Sequence, residues 1–123
     1  MLPKRGEIWL VNLDPTVGAE IQKTRPAIVI SSDYIGKLPL KLVVPITDWK
    51  DSFELDLWHI RLDLSNENGL TKPSAADALQ ARSLDPRRFI RKIGILPGLD
   101  LQEIARAIAA IIEDRESNDE TWL

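Results

Sequence analysis

Apolar residues along the chain fall into short runs that predict strands. Residues 7–13 are rich in β-branched and aromatic side chains and end at Asp14-Pro15, which is typical of a strand running into a turn. Residues 26–31 and 40–47 have the length of buried strands. Pro45 fits within the second of these only where its missing N–H faces an unpaired side or a bulge.

The second half of the chain continues this pattern with shorter runs. Residues 55–64 give the clearest signal, because apolar and polar residues alternate there at period two. Asn66-Glu-Asn-Gly69 predicts a turn, since Asn and Gly accept positive φ. Two further strands are predicted at 78–83 and 89–96, on either side of Asp85-Pro86.

One amphipathic stretch follows Pro97-Gly98 and predicts a helix. Its apolar residues recur at spacings of three and four, and their shared face is expected to pack on the sheet. They are Leu101, Ile104, Ala105, Ile108, Ile111 and Ile112. Short strands at close spacing with one helix predict a mainly β fold, a small barrel with a C-terminal α-helix, as a single domain over residues 1–123. Residues 113–123 are expected to form a frayed acidic tail.

Composition limits the classes of function. The 123 residues suit one domain, and 44% hydrophobic residues suffice for a core. The absence of Cys excludes disulfides and thiolate zinc sites, and a single His leaves little for a histidine-rich metal centre, so we expect no metal and no cofactor. No apolar run approaches the ~20 residues of a membrane span, and the first residues lack the apolar stretch of a signal peptide. We therefore expect a cytoplasmic protein without a membrane partner.

Charge is segregated along the chain although the net charge is only −3. Residues 72–92 carry an excess of Lys and Arg, and residues 98–123 carry an excess of Asp and Glu. A local basic face can therefore coexist with an acidic protein, although an ordinary solvated surface gives the same pattern.

Seven short segments follow one another in a specific order and spacing. They are Arg5–Pro15, Gly18–Glu20, Lys23–Ser31, Val44–Thr47, Asn68–Leu70, Gln80–Asp85 and Lys92–Gly94. Together they cover nearly the whole chain and resemble the MazF/PemK family of toxins from type II toxin-antitoxin modules.

The resemblance implies a fold, an activity and partners. It implies an SH3-like barrel that forms a homodimer and is silenced by a cognate antitoxin, with DNA contacted only through the antitoxin complex. It also implies a sequence-selective, metal-independent endoribonuclease that cleaves single-stranded RNA or mRNA. The attacking group would be the RNA's own 2'-hydroxyl, which leaves 2',3'-cyclic phosphate and 5'-hydroxyl ends.

Arg25 and Thr47 fall on the family's catalytic arginine and threonine. Arg25 ends a polar loop and opens a buried strand, so a rigid element can aim its guanidinium at a phosphate. Thr47 stands at a strand end and can donate its hydroxyl to the same phosphate. The structural alternatives are an arginine bonded to a neighbouring carbonyl or carboxylate, and a threonine that merely favours β structure.

The proton transfers need other residues. Arg25 is a poor proton carrier because the pKa of arginine exceeds about 12, so Glu20 is the candidate base, and no acid is identified. His59 is the one residue suited by type to proton transfer near neutral pH. It matches no catalytic position of the family, and we expect a surface or interface residue of its strand.

Further residues are expected to contact RNA. The loop residues Gly18, Ala19 and Lys23 face RNA in the family, and Gln80 matches a base-contacting glutamine. Arg82 extends the phosphate-binding residues, with Arg87, Arg88 and Lys92 as further candidates. The alternative for these residues is pairing with Asp85 or with the acidic tail of a neighbouring subunit. Asp48 and Trp49 follow Thr47, and Trp49 is the candidate for base stacking, whereas Trp9 and Trp58 are expected in the core.

The chain departs from the family pattern at three positions near the expected RNA contacts. Leu79 stands where the family often has an acidic residue, Ala19 where it often has Ser, and Val17 where it often has an aromatic residue. The family's sequence preference is therefore not transferred. Two alternatives stay open, a CcdB-like toxin that inhibits a topoisomerase by binding and an inactive barrel that only binds a partner. RNA cleavage by the purified protein distinguishes them.

Overall fold

The computed structural model describes residues 2–35 and 39–113, which form seven strands and one helix. The strands are β1 (Glu7–Asn12), β2 (Thr24–Val29), β3 (Lys41–Asp48), β4 (His59–Leu62), β5 (Ser74–Asp77), β6 (Arg82–Leu84) and β7 (Phe89–Ile95), and the helix α1 is Gly98–Ile112. Single-turn 3-10 helices lie at Asp51–Phe53, Ala78–Gln80 and Pro86–Arg88. The prediction of a mainly β fold with a C-terminal helix is confirmed.

All strand pairs are antiparallel, in the order β4-β5-β3-β2-β1-β7, and β6 pairs with the first half of β3. Within the described ranges, β4 and β7 do not pair with each other, so the barrel is not closed by a continuous ladder. Instead, the turn after β4 contacts β7, where the Ile95 N–H donates to the Glu67 carbonyl at 2.8 Å.

Strand boundaries agree best with the prediction at the start of the chain. β1 and β3 lie within one residue of their predicted limits, whereas β2 begins two residues before the predicted Pro26. The prediction of a strand at 78–83 is wrong, because Ala78–Gln80 form a 3-10 turn between the separate strands β5 and β6. The predicted strand 55–64 is reduced to His59–Leu62, since Asp51–Phe53 and the residues after it form turns.

The sheet is apolar on both faces, because alternate residues of each strand enter different clusters. One face, here called the helix side, buries Ile8, Ile28, Val44 and Ile46 against Leu101, Ile104 and Ala107 of α1. The other face, here called the loop side, buries Trp9, Val11, Leu13, Ala27, Val29, Val43 and Leu84. This alternation places odd-numbered residues of β1, β2 and β3 on the loop side.

The helix packs on the sheet as predicted, but its buried face is rotated. Leu101 and Ile104 are buried and Ile108 and Ile111 pack against the same core. Ala107 is buried, whereas Ala105 is exposed and Ile112 is 76% exposed. The predicted places of Ala105 and Ile112 are therefore wrong, because the contact line follows Leu101, Ile104, Ala107 and Ile111.

No described helix is long and apolar enough to cross a membrane. The predicted frayed tail and Trp122 lie outside the described residues.

Glu7 connects the first strand to the last. Its Oε1 accepts hydrogen bonds from the Lys4 N–H at 2.8 Å and the Trp9 indole N–H at 2.9 Å, and its Oε2 lies 3.1 Å from the Lys92 Nζ. Burial by itself raises the pKa of Glu7, but the hydrogen bonds from Lys4, Trp9 and Lys92 outweigh it and hold the pKa below its ordinary value. Its carboxylate therefore stabilises the folded state above its unfolded pKa, and this contribution is lost as the pH falls through the folded pKa.

We expect Glu7→Gln to lower the free energy of unfolding at pH 7 by about 1 kcal/mol, because the amide no longer pairs with Lys92. The difference from the wild type should shrink below about pH 4, where the wild-type carboxyl takes up its proton. Urea unfolding of both proteins at the two pH values measures it. A difference that stays constant or grows on acidification would contradict the role of the Glu7 carboxylate.

Candidate functional site

The pairing of β2 with β3 stops at the Ala27–Pro45 pair. Pro45 has no N–H to give to β2, so this pair is non-hydrogen-bonded and the next pair, Pro26 with Ile46, would be a hydrogen-bonded one. Pro26 lacks the donor for that bond, which ends the ladder. On its other side, Pro45 faces the gap between β5, which pairs from Ile46 onward, and β6, which pairs up to Val43. The prediction for Pro45 is confirmed.

Beyond this point the two strands separate and a groove opens between them. Continuing the register by two residues brings Arg25 opposite Thr47, both on the loop side of the sheet. Both residues line the groove, here called groove 1, which has a volume of about 330 Å³. Its remaining lining residues come from the ends of β2 and β3, the turn at 69–74 and β7. The predicted catalytic pair therefore shares one cavity.

The hydrogen-bonding groups of this pair are largely free. The Arg25 Nε–H donates to the Gln22 carbonyl at 3.3 Å, which anchors the side chain. Its terminal guanidinium nitrogens and the Thr47 hydroxyl have no hydrogen-bond partner among the described residues. The guanidinium is thus held at one nitrogen and open to an anion at the others.

Groove 1 carries more positive than negative charge. Lys72 and Arg91 line it with Arg25, and Asp48 is the carboxylate beside them. The Lys72 Nζ lies 3.1 Å from the Asp48 Oδ2, but both side chains are more than half exposed, so the pair contributes little to stability. Arg91 forms no ion pair within the described part of the chain. Asp48 is therefore placed to orient Lys72 at the rim.

Four other predicted site residues, Ala19, Glu20, Gln80 and Arg82, line a second hollow, here called groove 2, of about 620 Å³. Its lining residues are Pro15, Ala19, Glu20, Ile21, Pro45, Leu79, Gln80, Ala81 and Arg82. Groove 2 adjoins groove 1 along β3, because Pro45 lines the former and Thr47, two residues on and on the same face, lines the latter. The structure thus places some predicted site residues at groove 1 and others at the neighbouring groove 2, whereas Gly18, Lys23 and Trp49 line neither groove.

The loop between β1 and β2 forms one wall of groove 2 and is fastened by side chains from other segments. The Arg82 Nη1 donates to the Leu13 carbonyl at 3.1 Å, and the Arg88 Nη1 donates to the carbonyls of Asn12 and Asp14 at 3.1 and 2.6 Å. Lys23 has a φ of 70° and its N–H donates to the Asp14 Oδ1 at 3.0 Å. Arg82 and Arg88, predicted as phosphate ligands, are thus engaged in holding this loop.

Gln80 and Glu20 have partners of their own in groove 2. The Gln80 Oε1 accepts from the Ile21 N–H at 2.5 Å, and its Nε2 donates to the Ala19 carbonyl at 3.2 Å. The Glu20 Oε1 accepts from the Val17 N–H at 2.7 Å, so the predicted base lies on the groove 2 side and not inside groove 1.

Trp49 and His59 belong to a small aromatic cluster beside the grooves. Trp49 meets Phe53 edge to face at 5.9 Å, and the Arg61 guanidinium lies 5.1 Å from the Trp49 ring. His59 stacks on Phe53 at 3.7 Å and its side chain is only 9% exposed. The expectation of a surface position for His59 is wrong, because Phe53 and two carboxylates cover it. Trp9 is buried as predicted, and Trp58 packs against the helix-side core.

Asp77 was missed by the sequence reasoning. It is buried beside His59, with 6% of its surface exposed. A single carboxylate inside the run Ser74-Ala-Ala-Asp-Ala78 is the signal that could have found it, since a charged residue in an apolar strand needs a partner.

Comparison with known proteins gives a consistent family. Residues 4–112 match the model of the PemK-like, MazF-like toxin of type II toxin-antitoxin systems. Endoribonuclease MazF9 of Mycobacterium tuberculosis is 34% identical over 112 residues, which cover 85% of this chain and 92% of that protein. The crystal structure of MazF from Deinococcus radiodurans matches with a TM-score of 0.76 at 24% identity, covering 91% of this chain and 97% of that one.

A second solved structure contains a partner. An endoribonuclease in complex with its cognate antitoxin, from Mycobacterial species, matches with a TM-score of 0.70 at 14% identity and covers 93% of this chain and 98% of that one. At this identity the likeness is one of fold.

The wall of groove 1 depends on a close backbone approach at Gly69. A Cβ at this residue would lie 2.4 Å from the Ile93 carbonyl oxygen, and its φ is +67°. We expect Gly69→Ala to lower the free energy of unfolding by about 3 kcal/mol, from clash and backbone strain together. Gly18→Ala is the control, since its φ is +60° with nothing within 4 Å, and should cost about 1 kcal/mol. Urea unfolding compares the two variants, and equal losses would contradict the close approach.

Proposed function

Since this chain belongs to the PemK-like, MazF-like toxins of type II toxin-antitoxin systems, we propose that groove 1 is the active site at which it cleaves single-stranded RNA. The chain is an endoribonuclease toxin, as its relatives are. One observation carries the assignment of the site. Arg25 and Thr47 line the same positively charged groove, and the terminal guanidinium nitrogens and the Thr47 hydroxyl have no hydrogen-bond partner among the described residues.

The proposed reaction is an attack by the RNA on its own backbone. The 2'-oxygen forms a bond to the adjacent phosphorus while the bond from phosphorus to the 5'-oxygen breaks, which leaves a 2',3'-cyclic phosphate and a 5'-hydroxyl. The proton of the 2'-hydroxyl goes to a base, for which Glu20 in the adjoining groove 2 is the candidate, and the departing oxygen takes a proton from water. Arg25 stabilises the negative charge that develops on the phosphate, with the Thr47 hydroxyl as a second donor, so no metal is required.

The strand of RNA is proposed to continue from groove 1 into groove 2. Lys72 and Arg91 attract the neighbouring phosphates, so binding should weaken as salt concentration rises. The wall of groove 2 at Ala19, with Gly18 and Lys23 in the same loop, then meets the bases. Val17 and Leu79 are 81% and 57% exposed, and they offer apolar contact where the family often has aromatic and acidic residues.

Groove 1 is also the surface at which we propose that a partner protein binds. A cognate antitoxin is proposed as the inhibitor, in keeping with the antitoxin complex of a structural relative. An acidic or apolar antitoxin segment lying in groove 1 would exclude RNA by simple occlusion. We also propose that the chain acts as a homodimer, and that it contacts DNA only through the antitoxin complex.

We expect Arg25→Ala to lower kcat for RNA cleavage by about 100- to 1000-fold, because one charged donor to the transition state is lost. Thr47→Val should cost about tenfold, the value of one neutral hydrogen bond. Arg106→Ala is the matched control, since Arg106 is exposed on α1, away from the grooves. Initial rates on a fluorescent oligoribonucleotide in excess EDTA measure these effects. Full activity of folded Arg25→Ala would refute the assignment.

Glu20→Gln tests the candidate base separately. The amide oxygen can still accept the Val17 N–H, so the loop should keep its conformation while the proton acceptor is lost. We expect kcat to fall by about 100-fold or more with little change in KM. If kcat falls less than about threefold, another group or water removes the proton, and Glu20 only stabilises the loop by accepting the Val17 N–H.

A further inference from the structure

Asp77 stands out as a buried charge outside groove 1. Its Oδ1 is buried without a hydrogen-bond partner among the described residues. Its Oδ2 lies 3.4 Å from the Gln80 Nε2 and 3.5 Å from the His59 Nε2. A buried carboxylate with one unsatisfied oxygen is costly, so its position calls for a compensating role.

His59 fixes the position of Asp77. Its ring lies between two carboxylates, with Nδ1 2.9 Å from the Asp56 Oδ2 and Nε2 facing Asp77. The two ring nitrogens therefore hold the imidazole between Asp56 and Asp77. Stacking on Phe53, with 14° between the ring planes, holds the imidazole from its face.

Asp77 in turn selects one orientation of the Gln80 amide. With Nε2 towards Asp77 and the Ala19 carbonyl, Oε1 is left to accept from the Ile21 N–H. A flipped amide would set its oxygen against a carboxylate and a carbonyl, and its NH₂ against an N–H. All three hydrogen bonds therefore require the same orientation of the Gln80 amide, and the one to Asp77 is the bond to a carboxylate.

The contacts from His59 through Asp77 and Gln80 end at residues 19–21, in the loop between β1 and β2. Ala19 and Ile21 flank Glu20, and the three line groove 2 beside Pro45, two residues from Thr47. We propose that Asp77, held by His59, is a positioning residue for RNA cleavage, which acts through Gln80 to keep residues 19–21 docked beside β3. The catalytic consequence rests on the proposed function, whereas the docking itself does not.

The test uses the full chain with Asp77 changed in three ways. Asp77→Ala and Asp77→Leu remove the acceptor, and the leucine fills the space that the alanine leaves open, so the two variants separate loss of the contact from creation of a cavity. Asp77→Asn keeps a carbonyl that accepts from Gln80. Glu103→Ala, which removes an exposed carboxylate from α1, is the control.

Two measurements follow residues 19–21. Hydrogen exchange by NMR reports the Ile21 N–H, and we expect it to quicken about tenfold or more in Asp77→Ala and Asp77→Leu, but not in Asp77→Asn or Glu103→Ala. The same two variants should lower kcat/KM on the oligoribonucleotide by about tenfold, with Asp77→Asn restoring it to within about threefold. In a Gln80→Ala background, Asp77→Leu should have no further effect, because both act on one contact.

The results that would contradict the positioning role differ from those that would contradict the proposed function. Unchanged Ile21 exchange in Asp77→Leu would overturn the positioning role, and so would an equal loss of kcat/KM with and without Gln80. A merely structural role lowers thermal stability without moving either readout. If the wild-type protein and Glu103→Ala cleave no RNA, the proposed function fails, and Ile21 exchange still decides whether Asp77 docks the loop.

Discussion

Two prolines in neighbouring strands set the position of the site. Pro26 in β2 lacks the N–H that would extend the ladder to β3, and Pro45 in β3 lacks the N–H on the side of the gap between β5 and β6, so the strands part after the Ala27–Pro45 pair. The buried residues just before that point, Ile28, Val29, Val43 and Val44, keep the strands rigid up to the place where they separate. Arg25 and Thr47 are the first residues beyond Pro26 and Ile46, and they stand on well-held strand ends rather than on a free loop.

The polar side chains around groove 2 serve the scaffold more than the sequence suggests. Arg82, Arg88 and Gln80 all donate to backbone carbonyls of the loop between β1 and β2. Leu13 and Ile21 pack this loop against the loop-side core, and the side-chain hydrogen bonds from the sheet add to those contacts. Groove 1 holds a separate set of positive charges, at Arg25, Lys72 and Arg91.

Local sequence pattern predicted the elements that depend on local order. β1 and β3 follow from short apolar runs, α1 follows from spacings of three and four, and the turn at Gly69 follows from its Asn-Gly pair. The region 74–84 was misplaced because alanines carry little periodicity, and the turn at Ala78–Gln80 depends on a bond from the Ala78 N–H to the Trp58 carbonyl in another segment.

The candidate site also combines residues that local sequence identifies with features that depend on contacts between distant segments. Arg25 and Thr47 could be named from motifs, whereas the partition of site residues between two grooves required the register of β2 against β3. The burial of His59 and its meeting with Asp77 depend on the pairing of β4 with β5, which no local pattern specifies.

The most direct measurement is a crystal structure of the protein with an oligoribonucleotide that carries one 2'-deoxynucleotide at its mapped cleavage site. This substitution removes the attacking hydroxyl and leaves the phosphate in place. We expect this phosphate to lie in groove 1, within hydrogen-bond distance of the Arg25 guanidinium and the Thr47 hydroxyl. A scissile phosphate bound in groove 2, or elsewhere on the molecule with groove 1 empty of RNA, would contradict it.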